Sequence, residues 1–236
     1  MINSSWIKSK LRDGLLHDVA SVTSFWTPES LHTRRKASVL VPLFESEETV
    51  NVLLTKRSMR LSSHKGEVCF PGGKADDSDK DETDTALREA NEEVGLTSDV
   101  CDVINQLPAT VSKHGLLVTP VVALIPSDFE PVLNKEEVET AFAVPLERFL
   151  QSEGHTSFIV PYKDGHFLMH SFDYQPPERH ESFSVFGLTG YICLVLAIVV
   201  FRRMPEFSLD EMDSEKKIDT RLRRILETHV AQQSQL

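Results

Sequence analysis

Cysteine is scarce in this chain and its count is odd. Cys69, Cys101 and Cys193 are the only three among 236 residues. None stands at a metal-type spacing, and any disulfide pair would leave one over, so a reduced compartment is the simplest reading. Cys69, between Val68 and Phe70, reads as a small apolar packing residue. Positive charge is short as well, with 25 Lys and Arg against 36 Asp and Glu and a formal net charge of −11 at pH 7. That balance argues against a non-specific nucleic-acid binder, which needs a basic face. It leaves open a polyanionic substrate, provided that metals and local cations screen the site. No membrane span is expected either. The stretch Ser182–Phe201 lacks charge over a sufficient length, but it reads as a strand at Phe183–Phe186, a turn at Gly187–Gly190 and a buried helix at Tyr191–Phe201. Such a helix is too short to cross.

What remains is a globular composition, 40% hydrophobic and 26% charged, in a chain long enough for one substantial domain or two small ones. The segment 1–35 reads as a helical arm. Ile7, Leu11, Leu15, Val19 and Val22 recur at helical spacing, and Pro28–Arg35 forms a polar connection. Lys8, Lys10 and Arg12 suit a mitochondrial presequence, whereas Asp13 and Asp18 count against one. The segment 36–204 reads as the main domain. It opens with a β-hairpin, Lys36–Phe44 and Val50–Thr55 around a turn at Glu45–Glu48. Val100–Leu107 and Gly115–Leu124 read as strands, interrupted by the stretch Thr110–His114. The segment 205–236 reads as a C-terminal charged helix from Ser214, with an apolar stripe through Ile218, Leu222, Ile225, Leu226 and Val230, followed by a tail.

The chemistry is concentrated between Arg57 and Leu96. Arg57, Arg60, His64 and Lys65 cluster just before Gly72 and Gly73, where a cationic group is well placed for phosphates. The two glycines let the backbone come close to a metal or phosphate. An acidic run follows, and Asp81, Glu82, Thr83 and Asp84 predict a helix N-terminus. Ala86, Leu87, Ala90 and Val94 supply its apolar side, and Gly95 supplies a left-handed cap. Glu89, Glu92 and Glu93, at i, i+3 and i+4, then share one face. Like charges at that spacing repel, an arrangement that serves folding poorly but suits a hard divalent cation such as Mg²⁺. Arg88 lies beside them and can orient one glutamate through a charged hydrogen bond.

Gly73, Asp79 and Arg88-Glu89-Ala90-x-Glu92-Glu93-x-Gly95-Leu96 resemble the Nudix box. The first acid is Asp79 rather than Glu, with one extra residue before Arg88. Both departures resemble the coenzyme A branch of the family. The upstream run Leu53-Leu54-Thr55-Lys56-Arg57-Ser58, His64-Lys65-Gly66 and Phe70-Pro71-Gly72-Gly73 is similar to that branch's signature. The resemblance implies a Nudix α/β/α sandwich, an α/β fold with a mixed sheet between helices. It implies metal-dependent hydrolysis, with Mg²⁺ or Mn²⁺ on Glu89 and Glu93, of the diphosphate in coenzyme A and acyl-coenzyme A. Arg57, Arg60, His64, Lys65 and Gly73 would meet the substrate. The base stays open between Glu92 and Glu137, the latter because relatives often carry a glutamate near the site outside the box. Two alternatives are a broader diphosphatase acting on ADP-ribose or dinucleotides, and an idle nucleotide-sensing domain. The intact Glu89, Glu92 and Glu93 speak against the second. Ser234-Gln235-Leu236 resembles a peroxisomal address, which would make an import receptor a partner. Cytosol and mitochondrion are the alternative locations.

Overall fold

The computed structural model describes residues 4–15, 35–46, 49–112, 115–162 and 165–209. The expected helix beyond Leu15, His114, the helix from Ser214 and the tail at Ser234–Leu236 lie outside these residues. The chain divides into two compact units, Met1–Pro145 and Leu146–Leu236.

The first unit is built on a mixed sheet. The expected hairpin forms from β1 (Lys36–Ser46) and β2 (Thr49–Arg57), paired antiparallel from Leu43↔Val52 to Ser46↔Thr49. Along its other edge β1 runs parallel to β7 (Leu117–Leu124) over eight residue pairs, Lys36↔Leu117 to Leu43↔Leu124. The short strands β3 (Val68–Cys69) and β4 (Gly72–Lys74) pair with β2 and β1, respectively. The strand β5 (Asp102–Gln106) joins β7, and β8 (Val138–Pro145) joins β2. Part of the stretch read as an interruption is itself a strand. Thr110–Val111 forms β6 against β7, because the chain doubles back at Gly115 and brings Thr110 opposite Val118. The result is a mixed α/β fold with one large mixed sheet and few helices, as the resemblance implied.

Among the described residues this unit has two α-helices, α1 (Ser4–Leu15) and α2 (Glu82–Val94). Ile7 and Leu11 of α1 are fully buried. The apolar side of α2, namely Ala86, Ala90 and Val94, packs with Leu40, Leu53, Val121 and Ala123 of the sheet. Small residues at 86 and 90 let the helix lie close to the strands. That closeness brings the glutamates of its next turn down to the sheet.

In the second unit, a 3₁₀ turn (Leu146–Leu150) precedes a three-stranded antiparallel sheet, β9 (His155–Tyr162), β10 (Gly165–Tyr174) and β11 (Phe183–Phe186). The strand at 183–186 falls where the alternation predicted it. The helix that follows does not wait for a turn: α3 runs from Gly187 to Phe201 and so includes the four residues read as a turn. Gly187, at φ 64°, makes the bend from strand to helix within a single residue. No helix among the described residues is long and apolar enough to cross a membrane.

Candidate active site

Helix α2 is specified locally. Asp81 adopts the extended cap conformation and its carboxylate accepts from the Asp84 N–H at 2.9 Å. At the far end Gly95 takes φ 73°, its N–H donates to the Asn91 carbonyl at 3.0 Å, and the Leu96 N–H reaches the Ala90 carbonyl at 3.3 Å. Between the caps the three glutamates share one side but not one environment. The Glu92 side chain is 51% exposed, Glu89 15% and Glu93 only 1%. The acidic face therefore runs from solvent into the protein interior.

Glu93 is received there by two groups. The Gly72 N–H donates to its Oε2 at 3.1 Å, and Arg57 Nη1 approaches its Oε1 at 3.4 Å. Arg57 sits where the β2–β8 register slips between Lys56 and Arg57, an irregularity that redirects a side chain. Its backbone also closes the loop that follows: the Arg57 N–H donates to the Glu67 carbonyl at 3.0 Å, and the Gly66 N–H to the Arg57 carbonyl at 3.1 Å. The Arg57 Nε is buried and has no hydrogen-bond partner.

The glycines are required by close approach. A Cβ on Gly72 would stand 2.4 Å from the Ser38 carbonyl oxygen, and one on Gly73 would stand 2.5 Å from the Glu89 carboxyl group. Glu89 thus rests directly on bare backbone.

Arg88 fastens the loop between the glycines and the helix. Its Nε and Nη2 meet Asp79 Oδ1 and Oδ2 at 2.8 and 3.1 Å, a two-pronged charged contact. The guanidinium also donates to Glu89 at 3.1 Å, to Glu92 at 3.2 Å and to the Lys74 carbonyl at 3.1 Å. Asp79 accepts further from Thr85 Oγ1 and the Asp76 N–H, at 2.8 and 2.9 Å. Arg88 and these donors hold the Asp79 carboxyl well below the usual carboxylate range.

The acids at the centre are pushed the other way. Burial raises the Glu93 carboxyl to about 7, and the negative charges of Glu89 and Glu137 add to the rise against the pull of Arg57 and Gly72. Burial also raises Glu89, which feels Glu92 and Glu137 as further repulsion. Glu137 is therefore an electrostatic neighbour of both. The remaining expected residues stand apart from this group. Arg60 pairs with Glu136, His64 Nδ1 lies 2.6 Å from Glu67 Oε2, and Lys65 is exposed. Sequence reading missed the Gly72 N–H as a donor to Glu93, and it missed Asn134, whose amide donates to Glu137 Oε1 at 3.1 Å. The pattern Asn-x-Glu, typical of a side-chain-capped turn, was the available signal for Asn134.

A divalent cation fits what is here. Glu89 and Glu93 offer hard oxygen donors, desolvated and mutually repelling, beside a backbone with no side chain in the way. Among the described residues no three Asp, Glu, His or Cys groups form a ready-made cage. That suits an ion which takes one or two carboxylates and leaves its other positions to water and substrate phosphates.

Comparison with known proteins bears on the same segment. The NUDIX domain profile matches residues 34–182. The chain belongs to the Nudix family. It is a Nudix hydrolase, and members of this family generally use divalent metal ions. It is 38% identical over 175 residues to "Peroxisomal coenzyme A diphosphatase NUDT7" of Mus musculus, with 74% of each chain covered. Identity to "Peroxisomal coenzyme A diphosphatase ndx-8" of Caenorhabditis elegans is 37% over 185 residues, covering 77% of this chain and 76% of that one. To "Nudix hydrolase 15, mitochondrial" of Arabidopsis thaliana it is 42% over 176 residues, covering 73% of this chain but only 61% of the plant protein. In the terms of the family, the Nudix box from Gly73 to Leu96 comprises β4, the loop clamped by Arg88, and α2.

Proposed function

We propose that this Nudix hydrolase cleaves the diphosphate of coenzyme A and acyl-coenzyme A to 3′,5′-ADP and 4′-phosphopantetheine or its acylated form. The observation that carries the chemistry is the group Glu89, Glu93 and Glu137, of which Glu89 and Glu93 are desolvated and all three bring like charge together beside a bare glycine backbone. The names of the mouse and nematode relatives support coenzyme A as the substrate.

Glu89 and Glu93 would hold Mg²⁺ or Mn²⁺. When bound, the ion neutralises the diphosphate and makes a water more acidic. Arg57, held to Glu93 only by a 3.4 Å contact and 20% exposed, offers its guanidinium charge to a phosphate oxygen. Arg60, His64 and Lys65, on the loop that Arg57 closes, extend this cationic surface along the substrate. Gly73 supplies the space in which the Glu89 carboxylate and a phosphate can meet. The attacking water forms a new bond to one phosphorus as the bridging P–O bond breaks, and the water's proton passes to a carboxylate. We assign that carboxylate to Glu137 rather than Glu92, because Glu92 is half exposed and hydrogen-bonded to Arg88. Arg88 orients Glu89 and the loop.

The test is a side-by-side assay of the purified full chain with Mg²⁺ or Mn²⁺ on coenzyme A, ADP-ribose and a diadenosine polyphosphate. We expect kcat/KM for coenzyme A to lead by about tenfold or more, a difference of ~1.4 kcal/mol in transition-state binding. A lead for ADP-ribose would overturn the substrate assignment. For location we propose the peroxisome, supported by the names of two relatives, with import through a peroxisomal receptor. A fluorescent fusion of the full chain, compared with one lacking Ser234-Gln235-Leu236, tests this, and identical diffuse cytosolic signals would reject it.

A further inference from the structure

The loop between β7 and β8 contains one residue that touches both ends of the proposed machinery. The loop lies against the end of α2, where helix carbonyls lack intrahelical partners. The Val132 N–H donates to the Val94 carbonyl at 2.9 Å, and the Asn134 N–H to the Glu93 carbonyl at 3.0 Å. Asn134 is thereby tied to the backbone of the buried glutamate. Its own carbonyl accepts from the N–H groups of Glu137 at 3.0 Å and Val138 at 2.8 Å, which starts the turn into β8.

The side chain divides its two functions. Oδ1 accepts from the Glu136 N–H at 3.2 Å, and Nδ2 donates to Glu137 Oε1 at 3.1 Å. From the opposite side the Ser58 N–H donates to the Glu137 carbonyl at 2.8 Å, so the Glu137 backbone is fixed at both flanks. What the backbone leaves undetermined is the carboxylate's direction, and the Asn134 amide sets it. A side chain at this position must accept from one neighbour and donate to another. Asp cannot donate in its charged form, and Ser is shorter, whereas the amide of Asn has both atoms in a fixed geometry.

We infer that Asn134 is a positioning residue that holds Glu137 Oε1 and leaves Oε2 free to take the proton of the attacking water. The inference rests on the reading of Glu137 as the proton acceptor. Asn134 links the helix that carries Glu89 and Glu93 to the acid outside the box, so that the three carboxylates keep one relative placement. The loop also fastens through Arg60 with Glu136, and β8 just after it through Lys56 with Glu139. These ion pairs lie on the exposed flank and leave the Glu137 carboxylate itself untouched.

The experiment is a double-mutant cycle of Asn134→Asp and Glu137→Gln in the full chain, read as kcat and KM on coenzyme A with saturating Mg²⁺. Asn134→Asp keeps size and the acceptor for the Glu136 N–H, and it turns the donor facing Glu137 into an acceptor. Alone it lowers kcat by about tenfold or more, with KM within about twofold and an unchanged melting temperature. In the Glu137→Gln background it costs less than about twofold further. An equal loss in both backgrounds, or a loss confined to KM, would overturn the positioning role. If Glu137→Gln is impaired while Asn134→Asp has wild-type kcat, the positioning role fails and the reading of Glu137 stands. Wild-type kcat in Glu137→Gln removes Glu137 from the chemistry and the role of Asn134 with it. Should Asn134→Asp not fold, Asn134→Ala, which leaves every backbone hydrogen bond in place, is read through the same cycle.

Discussion

Arg88 and Arg57 bring the same guanidinium to one site and are used in opposite ways. Arg88 is saturated: Asp79, Glu89, Glu92 and the Lys74 carbonyl all accept from it. Arg57 has a long 3.4 Å contact to Glu93, the Cys69 thiol beside it, and a buried Nε with no acceptor. Their partners differ accordingly. Asp79 is held far into its charged form, whereas burial takes Glu93 up to about 7 although Arg57 opposes the rise. Charge is compensated where the loop has to be fastened, and it is left uncompensated one helical turn away. On the proposed function, the second place is where a cation and a polyanion enter. A clamp can be satisfied within the protein. A site for charged ligands has to keep part of its hydrogen-bonding and charge capacity open for them.

The strongest way to break this comparison is Glu93→Gln, which preserves shape and removes the charge. Turnover is expected to fall by about a hundredfold or more, the scale of losing a principal electrostatic group. The same variant has a second readout in the metal-free protein. Burial lifts the Glu93 carboxyl in the folded state from its ordinary value of 4.5 to about 7. Between these two pH values the unfolded chain has released its proton and the folded chain retains it, so stability falls as pH rises through that window and levels off above it. Glu89, also raised by burial, adds a slope of the same sign. Chemical denaturation at a series of pH values should show this slope in the wild type, a smaller one in Glu93→Gln, and relief on adding Mg²⁺. A flat wild-type profile would mean that Glu93 is compensated after all.

Next in size is Gly73→Ala. The atoms nearest the added methyl group all belong to the end of the Glu89 side chain, which can swing away. The fold should survive while turnover drops by roughly ten- to a hundredfold, because Glu89 loses its seat. Arg57→Ala follows. It should raise KM for coenzyme A about tenfold, measured beside dephospho-coenzyme A to learn whether the 3′-phosphate is the partner. An equal penalty on both substrates would assign Arg57 to the diphosphate instead. The smallest loss of turnover is expected from Asp79→Asn, which weakens the clamp and leaves the interior acids in place. Its effect should appear mainly as a melting temperature lower by a few degrees, as for the loss of about 1 kcal/mol from a charged hydrogen-bonded pair, with activity within about fivefold. Should Asp79→Asn cost as much turnover as Gly73→Ala, the division between clamp and interior would not hold.

Much of the scaffold could be read before any coordinates, because its signals are local. Asp81 and Gly95 mark the two ends of α2 through conformations that depend only on immediate neighbours. The β1–β2 hairpin and the strand at 183–186 follow from alternation and turn residues in the same way. Reading failed where a weak local signal was overridden by distant pairing. Thr110–Val111 has little strand character alone and becomes β6 because β7 offers it an edge. Gly187–Gly190 looks like a turn and is helix, since Gly187 makes the bend by itself.

The site divides along the same line. The order of residues determined that three glutamates at i, i+3 and i+4 share a helical face, and that two glycines and a run of cations precede them. This follows because 3.6 residues per turn and the freedom of glycine are properties of the chain itself. Only the tertiary structure decided that Glu93 is buried while Glu92 is half exposed, because that depends on how closely Ala86 and Ala90 let the helix approach β1 and β4. It also decided which side chain meets which acid: Arg60 goes to Glu136, His64 to Glu67, Arg57 to Glu93, and Asn134 to Glu137. Two of these pairs, Arg60 with Glu136 and Arg57 with Glu93, join segments far apart in the chain. Their strength depends on distance and burial, two quantities that a linear order of residues does not contain.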